Sequence, residues 1–269
     1  NMLLELDIDV DDYISIASLA DGLLRNKKCY DGCYEISGLA RRFIQKTLVG
    51  GRTMMRNNNK QKILYKKNKK FVEALDANSL YPSAQVRLKT DGQGFLKGIP
   101  KPIPNNVDKK EFLKGVSGYF VKIKVLEIRK HRDFPLLSYF DDKGTRVFTN
   151  NAKHVETTYI DWIALEDAVK FQDIKYEIIE GYYFDDGFNN KISDTIQKLY
   201  DERLKYKKLK NPIEKVYKLI LNSSYGKTAL KEIDHDTKYI SKTKWKDYKD
   251  RYHNWIIEAC YCDNGNKIR

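Results

Sequence analysis

Between Tyr119 and Ile128 the chain alternates, with Val121, Ile123 and Val125 set against Lys122 and Lys124. A period of two is that of a strand with one face buried and one wet. Shorter runs of the same kind lie at Gln61 to Tyr65, Lys70 to Leu75 and Tyr176 to Phe184. Other segments carry the 3.6-residue period of helices. In residues 1–47, Tyr13 to Ala20 and Leu39 to Ile44 flank a loop around Asp31-Gly32. Tyr159 to Phe171 reads as an amphipathic helix, and Asn190 to Leu209 as a long one. Asn57-Asn58-Asn59, between Arg56 and Lys60, is a polar turn, and Gly98 to Pro104 a proline-rich loop. The pattern is that of an α+β protein.

The long helix changes character along its length. Its apolar stripe Ile192, Ile196, Leu199 runs at nearly the same azimuth into Arg203, Lys207 and Lys210. Asn211-Pro212 then interrupts, the asparagine suited to an N-cap and the proline to a first helical position. The segment therefore predicts an antiparallel helical hairpin. On its second helix Lys218, Asn222 and Tyr225 stand at i, i+4 and i+7 and share one face. An ordinary amphipathic core helix would instead bury Leu219, Ile220, Leu221 and Tyr225 and leave Lys218 solvated.

Composition narrows the partners. The 269 residues hold 50 Lys or Arg against 37 Asp or Glu, a net charge of +13 and a pI near 9.3. Such a balance suits nucleic acid, an anionic membrane surface or a ribosome equally well. Eleven basic and four acidic residues fall between Lys191 and Lys231, so the charge concentrates on the hairpin. No run of about 18 apolar residues exists, and the N-terminus lacks a basic region and a cleavage site. A soluble, unsecreted, intracellular protein with no membrane partner is expected. Cys29, Cys33, Cys260 and Cys262 lack zinc-site spacing and read as free thiols. His131, His154, His235 and His253 are scattered, and Asp141-Asp142, Asp185-Asp186, Asp234 and Asp236 read as loop residues.

The candidate chemistry lies in Asp76-Ala-Asn-Ser-Leu-Tyr-Pro-Ser83, directly after the strand-like run ending at Leu75. A carboxylate at a strand end can hold Mg²⁺ against phosphates, and the following turn offers N–H groups to a triphosphate. Tyr81 can lie flat under a sugar ring. A buried strand with an ordinary Asn-Ser turn is the plain alternative. Downstream, Lys218-Leu-Ile-Leu-Asn-Ser-Ser-Tyr-Gly226 supplies a mobile cation, an amide, an aromatic ring and a residue permitting close approach. Upstream, Val49-Gly50-Gly51-Arg52 offers paired glycines for a tight turn tolerant of positive φ, with an arginine beside it.

These three segments resemble, in order, motif A, motif B and the Tyr-x-Gly-Gly element of the family B DNA polymerases, in the viral, organellar-plasmid and mobile-element (protein-primed-like) group. Leu48 stands where the element usually has tyrosine. The resemblance runs along most of residues 37–230 and includes Phe134-Pro-Leu-Leu137 and Gly181-Tyr-Tyr-Phe184. It implies an antiparallel-sheet palm with packed helices and an inserted helical-hairpin fingers subdomain. The implied division is residues 1–47 as the tail of the region linking a proofreading domain to the polymerase domain, 48–190 palm, 191–227 fingers and 228–269 a truncated return to palm. It further implies that Asp76 binds metal and is catalytic, with two Mg²⁺ ions in the intact enzyme. Ser79, Leu80, Tyr81, Arg203, Lys207, Lys218 and Asn222 would bind nucleotide, with Tyr81 excluding a 2′-hydroxyl. Tyr225 and Gly226 would shape the nascent base pair, and Gly50, Gly51 and Arg52 contact the template. Template and primer DNA, dNTP and a priming protein are the partners that the group implies.

One part of the family pattern is missing. The third motif, Tyr-x-Asp-Thr-Asp-Ser, supplies the second carboxylate of a two-metal site. Here Tyr261-Cys262-Asp263 imitates its first half, but Asn264-Gly265 is a hairpin-turn dipeptide. Proofreading carboxylate motifs are absent too, and the chain opens on Asn1-Met2. The expectation is a fragment of a template-directed polymerase, inactive in isolation. Its rival is a catalytically dead palm remnant that binds DNA without sequence preference or serves as an assembly module.

Overall fold

In the computed structural model the described residues are 9, 11–56, 59, 74–77, 79–228, 238–252, 256, 259, 261–263 and 266–268. In chain order they form α1 (Ile16–Asn26), α2 (Gly38–Thr47), α3 (Leu80–Thr90), β1 (Phe95–Leu96), β2 (Lys101–Pro102), α4 (Lys109–Phe112) and β3 (Gly118–Ile128). Then come β4 (Ser138–Phe140), β5 (Arg146–Phe148), β6 (Thr157–Asp161), α5 (Trp162–Gln172), β7 (Ile174–Phe184) and β8 (Phe188–Asn189). The hairpin helices α6 (Lys191–Lys208) and α7 (Ile213–Thr228) follow, and after them α8 (Trp245–Tyr252), β9 (Tyr261–Asp263) and β10 (Asn266–Ile268). The chain divides into two compact units, Asn1–Ala229 and Leu230–Arg269.

The described residues of the first unit form two cores. A four-stranded antiparallel sheet, ordered β2-β7-β3-β6, carries one. The alternation along β3 works as expected, with Val121, Ile123 and Val125 buried while Lys124 is exposed. Leu165 and Ala168 of α5 close over that face together with Ile160, Ile174 and Leu137. Gly181 of β7 permits close approach to β3, since a Cβ there would lie 2.4 Å from the Phe120 carbonyl oxygen. The second core is helical. Leu19, Leu23 and Leu24 of α1 meet Ile192, Ile196 and Leu199 of α6 and Tyr217, Ile220 and Leu221 of α7, with Val86 and Leu88 of α3 packed at the margin.

The turns between these elements follow their residue chemistry. Asn211 Oδ1 accepts from the Ile213 N–H at 3.0 Å and its carbonyl from the Glu214 N–H at 3.1 Å, so the Asn211-Pro212 turn opens α7 as the sequence predicts. Asp141 Oδ1 accepts from the N–H groups of Lys143 and Thr145, and Asp185 pairs with Lys101 at 2.8 Å. Both acidic doublets are turn residues. In the second unit Tyr261–Asp263 pairs with Asn266–Ile268 in antiparallel register, Asp263 opposite Asn266. Asp263 thus stands where the strand enters a two-residue connection.

Three expectations needed adjustment. Residues 159–161, expected as the start of a helix, belong to the strand Thr157–Asp161. The β-branched and aromatic run Thr157-Thr158-Tyr159-Ile160 pairs with Val121–Lys124 of β3. Asp161 then caps α5, its Oδ1 accepting from the Ala164 N–H at 3.0 Å. Within the proline-rich loop, Lys101–Pro102 adds an edge strand to β7, where the lack of a proline N–H costs no ladder bond. Ala74 and Leu75, the described end of the strand expected before Asp76, are exposed and join no ladder. The strand expected at 61–65, residues 70–73 of the next one, Asn57 and Asn58 of the polar turn, Asn78, Cys260, His235, His253, Asp234 and Asp236 lie outside the described residues. Among the described residues Cys29 and Cys33 are free thiols, and no helix is long and apolar enough to cross a membrane.

Candidate functional site

The segment after Asp76 builds an unusual helix start. Ser79 occupies the left-handed region at φ 50, ψ 49 and immediately precedes α3. For a residue with a Cβ that conformation is strained by an amount on the order of 1 kcal/mol, and such strain concentrates at functional positions. A serine in this place normally caps its own helix. Here its hydroxyl makes no cap bond and instead accepts from Arg203 Nη1 at 2.9 Å. Pro82 at the third helical position has no N–H to offer, and the Ser83 N–H is bonded to the Ser79 carbonyl. Leu80 and Tyr81 then carry the first N–H groups of the helix, donors of the kind that can meet an anion. Asp76 precedes them with its side chain exposed.

Arg203 connects three elements. From α6 it reaches Ser79 and also Glu214 in the first turn of α7, with Nε 3.4 Å from the carboxylate, and both side chains are largely buried. The basic continuation of the α6 stripe is therefore not a solvated tip at this position, whereas Lys207, one turn on, is exposed. Glu214 was not singled out from the sequence. Its place three residues after the cap Asn211 reads as a capping-box glutamate, yet it serves the arginine of the facing helix. Replacing Arg203 and Glu214 singly and together by Ala and Gln should give a coupling on the order of 0.5–1 kcal/mol in a double-mutant cycle of denaturant unfolding. Strict additivity would mean the pair does not operate in solution.

On α7 the predicted face is real. Lys218 and Asn222 are exposed, Tyr225 is partly so, and Tyr217, Ile220, Leu221 and Ser224 face the core. Leu219 is exposed, contrary to the plain amphipathic alternative. The Tyr225 ring stacks on Tyr81 with centroids 4.1 Å apart and planes 11° from parallel. A Cβ at Gly226 would meet nothing within 4 Å, so open space adjoins the stack. Gly50 and Gly51 are also open and exposed, but neither has a positive φ. The tight-turn expectation for the glycine pair is not met, since both lie in a stretch with no turn, bend or strand. Arg52 beside them donates to the Pro135 carbonyl and lies over the Phe148 ring at 4.3 Å.

Asp76 is a hard oxygen donor of the kind that divalent cations take. Among the described residues no three His, Cys, Asp or Glu side chains gather in a way that could hold a metal ion. Asp76 therefore fits as one ligand of a metal site and does not make a whole one.

The family profile described as "DNA polymerase type B, organellar and viral" matches residues 1–267. A curated relative, the DNA polymerase of Acidianus bottle-shaped virus (isolate Italy/Pozzuoli), is 34% identical over 167 residues, covering 59% of this chain and 23% of that protein. Among solved structures, Phi29 DNA polymerase in an orthorhombic crystal form superposes with a TM-score of 0.53 at 16% identity over 82% of this chain and 37% of its own. Its ternary complex with primer-template DNA and incoming nucleotide substrates gives 0.52 over 84% and 37%. At 16% identity this likeness speaks for the fold. The chain spans about a quarter of the curated relative and just over a third of the Phi29 chains.

Proposed function

The chain belongs to the organellar and viral type B DNA polymerases, and from that premise we propose that it is the palm-and-fingers segment of a template-directed, DNA-dependent DNA polymerase. Its α+β architecture is that of a polymerase palm with fingers. Residues 48–190 serve as palm, 191–227 as fingers, 1–47 as the approach from a proofreading region and 228–269 as the return to palm. One observation carries the reading. Segments of the chain 142 residues apart, Asp76 onward and Lys218 onward, meet through the Tyr81–Tyr225 stack, beside which Arg203 of α6 bonds Ser79.

The residues divide the work as follows. Leu80 and Tyr81 present backbone N–H groups to a triphosphate held at the α3 N-terminus. Arg203, Lys207 and Lys218 supply positive charge around it, and Asn222 contributes hydrogen bonds to phosphate, base or sugar. In phosphoryl transfer little covalent work falls to the protein, so positioning and charge neutralisation are what these groups provide. Tyr81, held flat by Tyr225, forms the floor under the sugar and leaves no room for a 2′-hydroxyl. Tyr225 and Gly226 border the nascent base pair, and Gly50, Gly51 and Arg52 face the template. The family generally uses divalent metal ions, and Asp76 supplies one ligand to what in the intact enzyme is a pair of Mg²⁺ ions. The remaining carboxylate comes from a third motif that Tyr261-Cys262-Asp263 does not supply, so isolated residues 1–269 bind without catalysing. A priming protein is a further partner in the intact enzyme.

Primer extension by the full gene product tests this. The wild type should extend a primer in template order with dNTPs, and Tyr81→Val should lower its preference for dNTP over rNTP by roughly tenfold or more, as expected when a steric filter worth over about 1.4 kcal/mol is lost. DNA binding with no extension, joined to a reading frame that holds no Tyr-x-Asp-Thr-Asp-Ser beyond Arg269, would favour the second reading, a DNA-binding remnant. The net charge of +13, and the absence among the described residues of a side-chain cluster that could hold a metal, support that reading.

A further inference from the structure

Glu214 stands among the cations assigned to a triphosphate, yet it is a carboxylate. It is the one acidic residue of α7, whose cations are Lys215, Lys218 and Lys227. A negative side chain in such company repels an incoming polyanion, and some other service has to offset that. The ordinary service comes first, since a glutamate three residues after a helix cap can reach back to the N–H of the cap residue. Here that N–H is already taken, because Asn211 donates to the Tyr206 carbonyl at 3.0 Å. The Glu214 side chain turns to α6 instead, where Arg203 Nε lies 3.4 Å from Oε2. Among the ion pairs of the described residues its partner is Arg203 and not Lys218, which is one turn further along α7 and exposed.

Arg203 is thereby held at two points. Nη1 donates to Ser79 Oγ at 2.9 Å and Nε faces Glu214, which leaves Nη2 out of both contacts. The Arg203 and Glu214 side chains are 14% and 24% exposed, so the guanidinium lacks the rotamer freedom of a surface arginine. An arginine tethered through one terminal nitrogen pivots about that bond; a second tether at Nε fixes the plane of the fork. At 3.4 Å the contact is long for a charge-assisted bond, so it contributes orientation more than attraction. The two tethers join α7, α6 and the left-handed residue that precedes α3.

We propose that Glu214 is a positioning residue for nucleotide binding, holding the Arg203 guanidinium so that its Nη2 donors are set for the triphosphate before nucleotide arrives. The inference rests on the polymerase reading, in which Arg203 meets the triphosphate, and adds to it a residue that touches no substrate. Ordering of the arginine is completed on folding instead of on binding, so the gain appears in nucleotide affinity and not in the chemical step.

Steady-state primer extension by the intact polymerase at varied dNTP tests this. Glu214→Ala should raise KM for dNTP by roughly threefold to tenfold, the range expected when one long side chain must be ordered on binding, with kcat within about twofold. Glu214→Asp keeps the charge but is a methylene short of Nε, and should behave like the alanine. Glu214→Gln keeps an oxygen for Nε without the charge, and should hold KM within about twofold of the wild type or below it. In an Arg203→Ala background Glu214→Ala should add nothing. An effect that persists there would assign Glu214 to α7 itself, through its cap or dipole, and overturn the positioning role. So would a KM that Glu214→Ala leaves unchanged or lowers, the sign of a carboxylate that only competes with the triphosphate. Circular dichroism and primer-template affinity equal to the wild type exclude unfolding, and the aspartate variant carries the test if the alanine does not fold. A raised KM in Arg203→Ala beside an unaffected Glu214→Ala sinks the positioning role alone. An unchanged KM in Arg203→Ala removes Arg203 from the triphosphate, and the polymerase reading of that residue fails together with this one.

Discussion

Asp76→Ala in the intact polymerase should reduce nucleotide incorporation by roughly 10³-fold or more, equivalent to over about 4 kcal/mol of transition-state stabilisation, while leaving DNA retention nearly as it was. Asp76 is exposed at the mouth of α3 and belongs to neither hydrophobic core, so its removal has no folding route to that loss. Its carboxylate precedes the first-turn N–H groups of Leu80 and Tyr81, so a group able to ligate a cation and donors able to meet an anion lie in one short segment. An alanine keeps the donors and removes the ligand. Single-turnover incorporation measures the chemistry, and filter binding of primer-template measures retention. Sustained incorporation by the variant would remove Asp76 from the catalytic role, and equal loss of DNA binding would make it a structural residue.

The second large effect concerns stability. Tyr217→Ala should destabilise the first unit by about 3–5 kcal/mol, the range for emptying a large buried aromatic site. Tyr217 is 1% exposed among α1, α6 and α7, and its ring stacks on Tyr206 with centroids 5.7 Å apart. Its neighbour Lys218 points the other way, into solvent, so the substitution empties the core without touching the functional face. Urea unfolding followed by circular dichroism should show the midpoint displaced accordingly. A loss below about 1 kcal/mol would mean that the helices repack around the gap and that the hairpin does not depend on this contact.

Much of this was readable from local pattern. The alternation of β3, the i, i+4, i+7 face on α7 and the Asn211-Pro212 turn are properties of residues close in sequence, and each appears in the fold. What escaped is nonlocal. Nothing within Thr157–Ile160 tells whether β3 will be there to pair with it, and Tyr159 and Ile160 also fit the helical period of the residues that follow. Glu214 could be read as a cap residue, but its pairing with Arg203 requires knowing how far around α6 the facing helix lies. The six residues Lys70 to Leu75 read as a strand, and the described part of them finds no partner. For the site, residue types and order were legible, and the contact of Tyr81 with Tyr225 was not, because the stack depends on α3 and α7 sharing one core.

That shared core has a mechanical consequence. The hairpin of α6 and α7 buries its apolar face against α1, a helix more than 160 residues earlier in the chain, and against the inner side of α3. A cantilever of two helices could swing from its base; one bonded along its length to two others cannot. Any displacement of its tip must either carry α1 and α3 with it as a block or tear open the seam that Tyr217 fills. Among the chain crossings that leave such a block, those after α1, after α3 and before α6 converge. Asn189, just before α6, holds the carbonyls of Lys28 and Asp31 with its amide, and Gly94, after α3, lies so close that a Cβ would be 2.3 Å from the Asn189 carbonyl oxygen. Three crossings fastened at one asparagine make a hinge with a single pin.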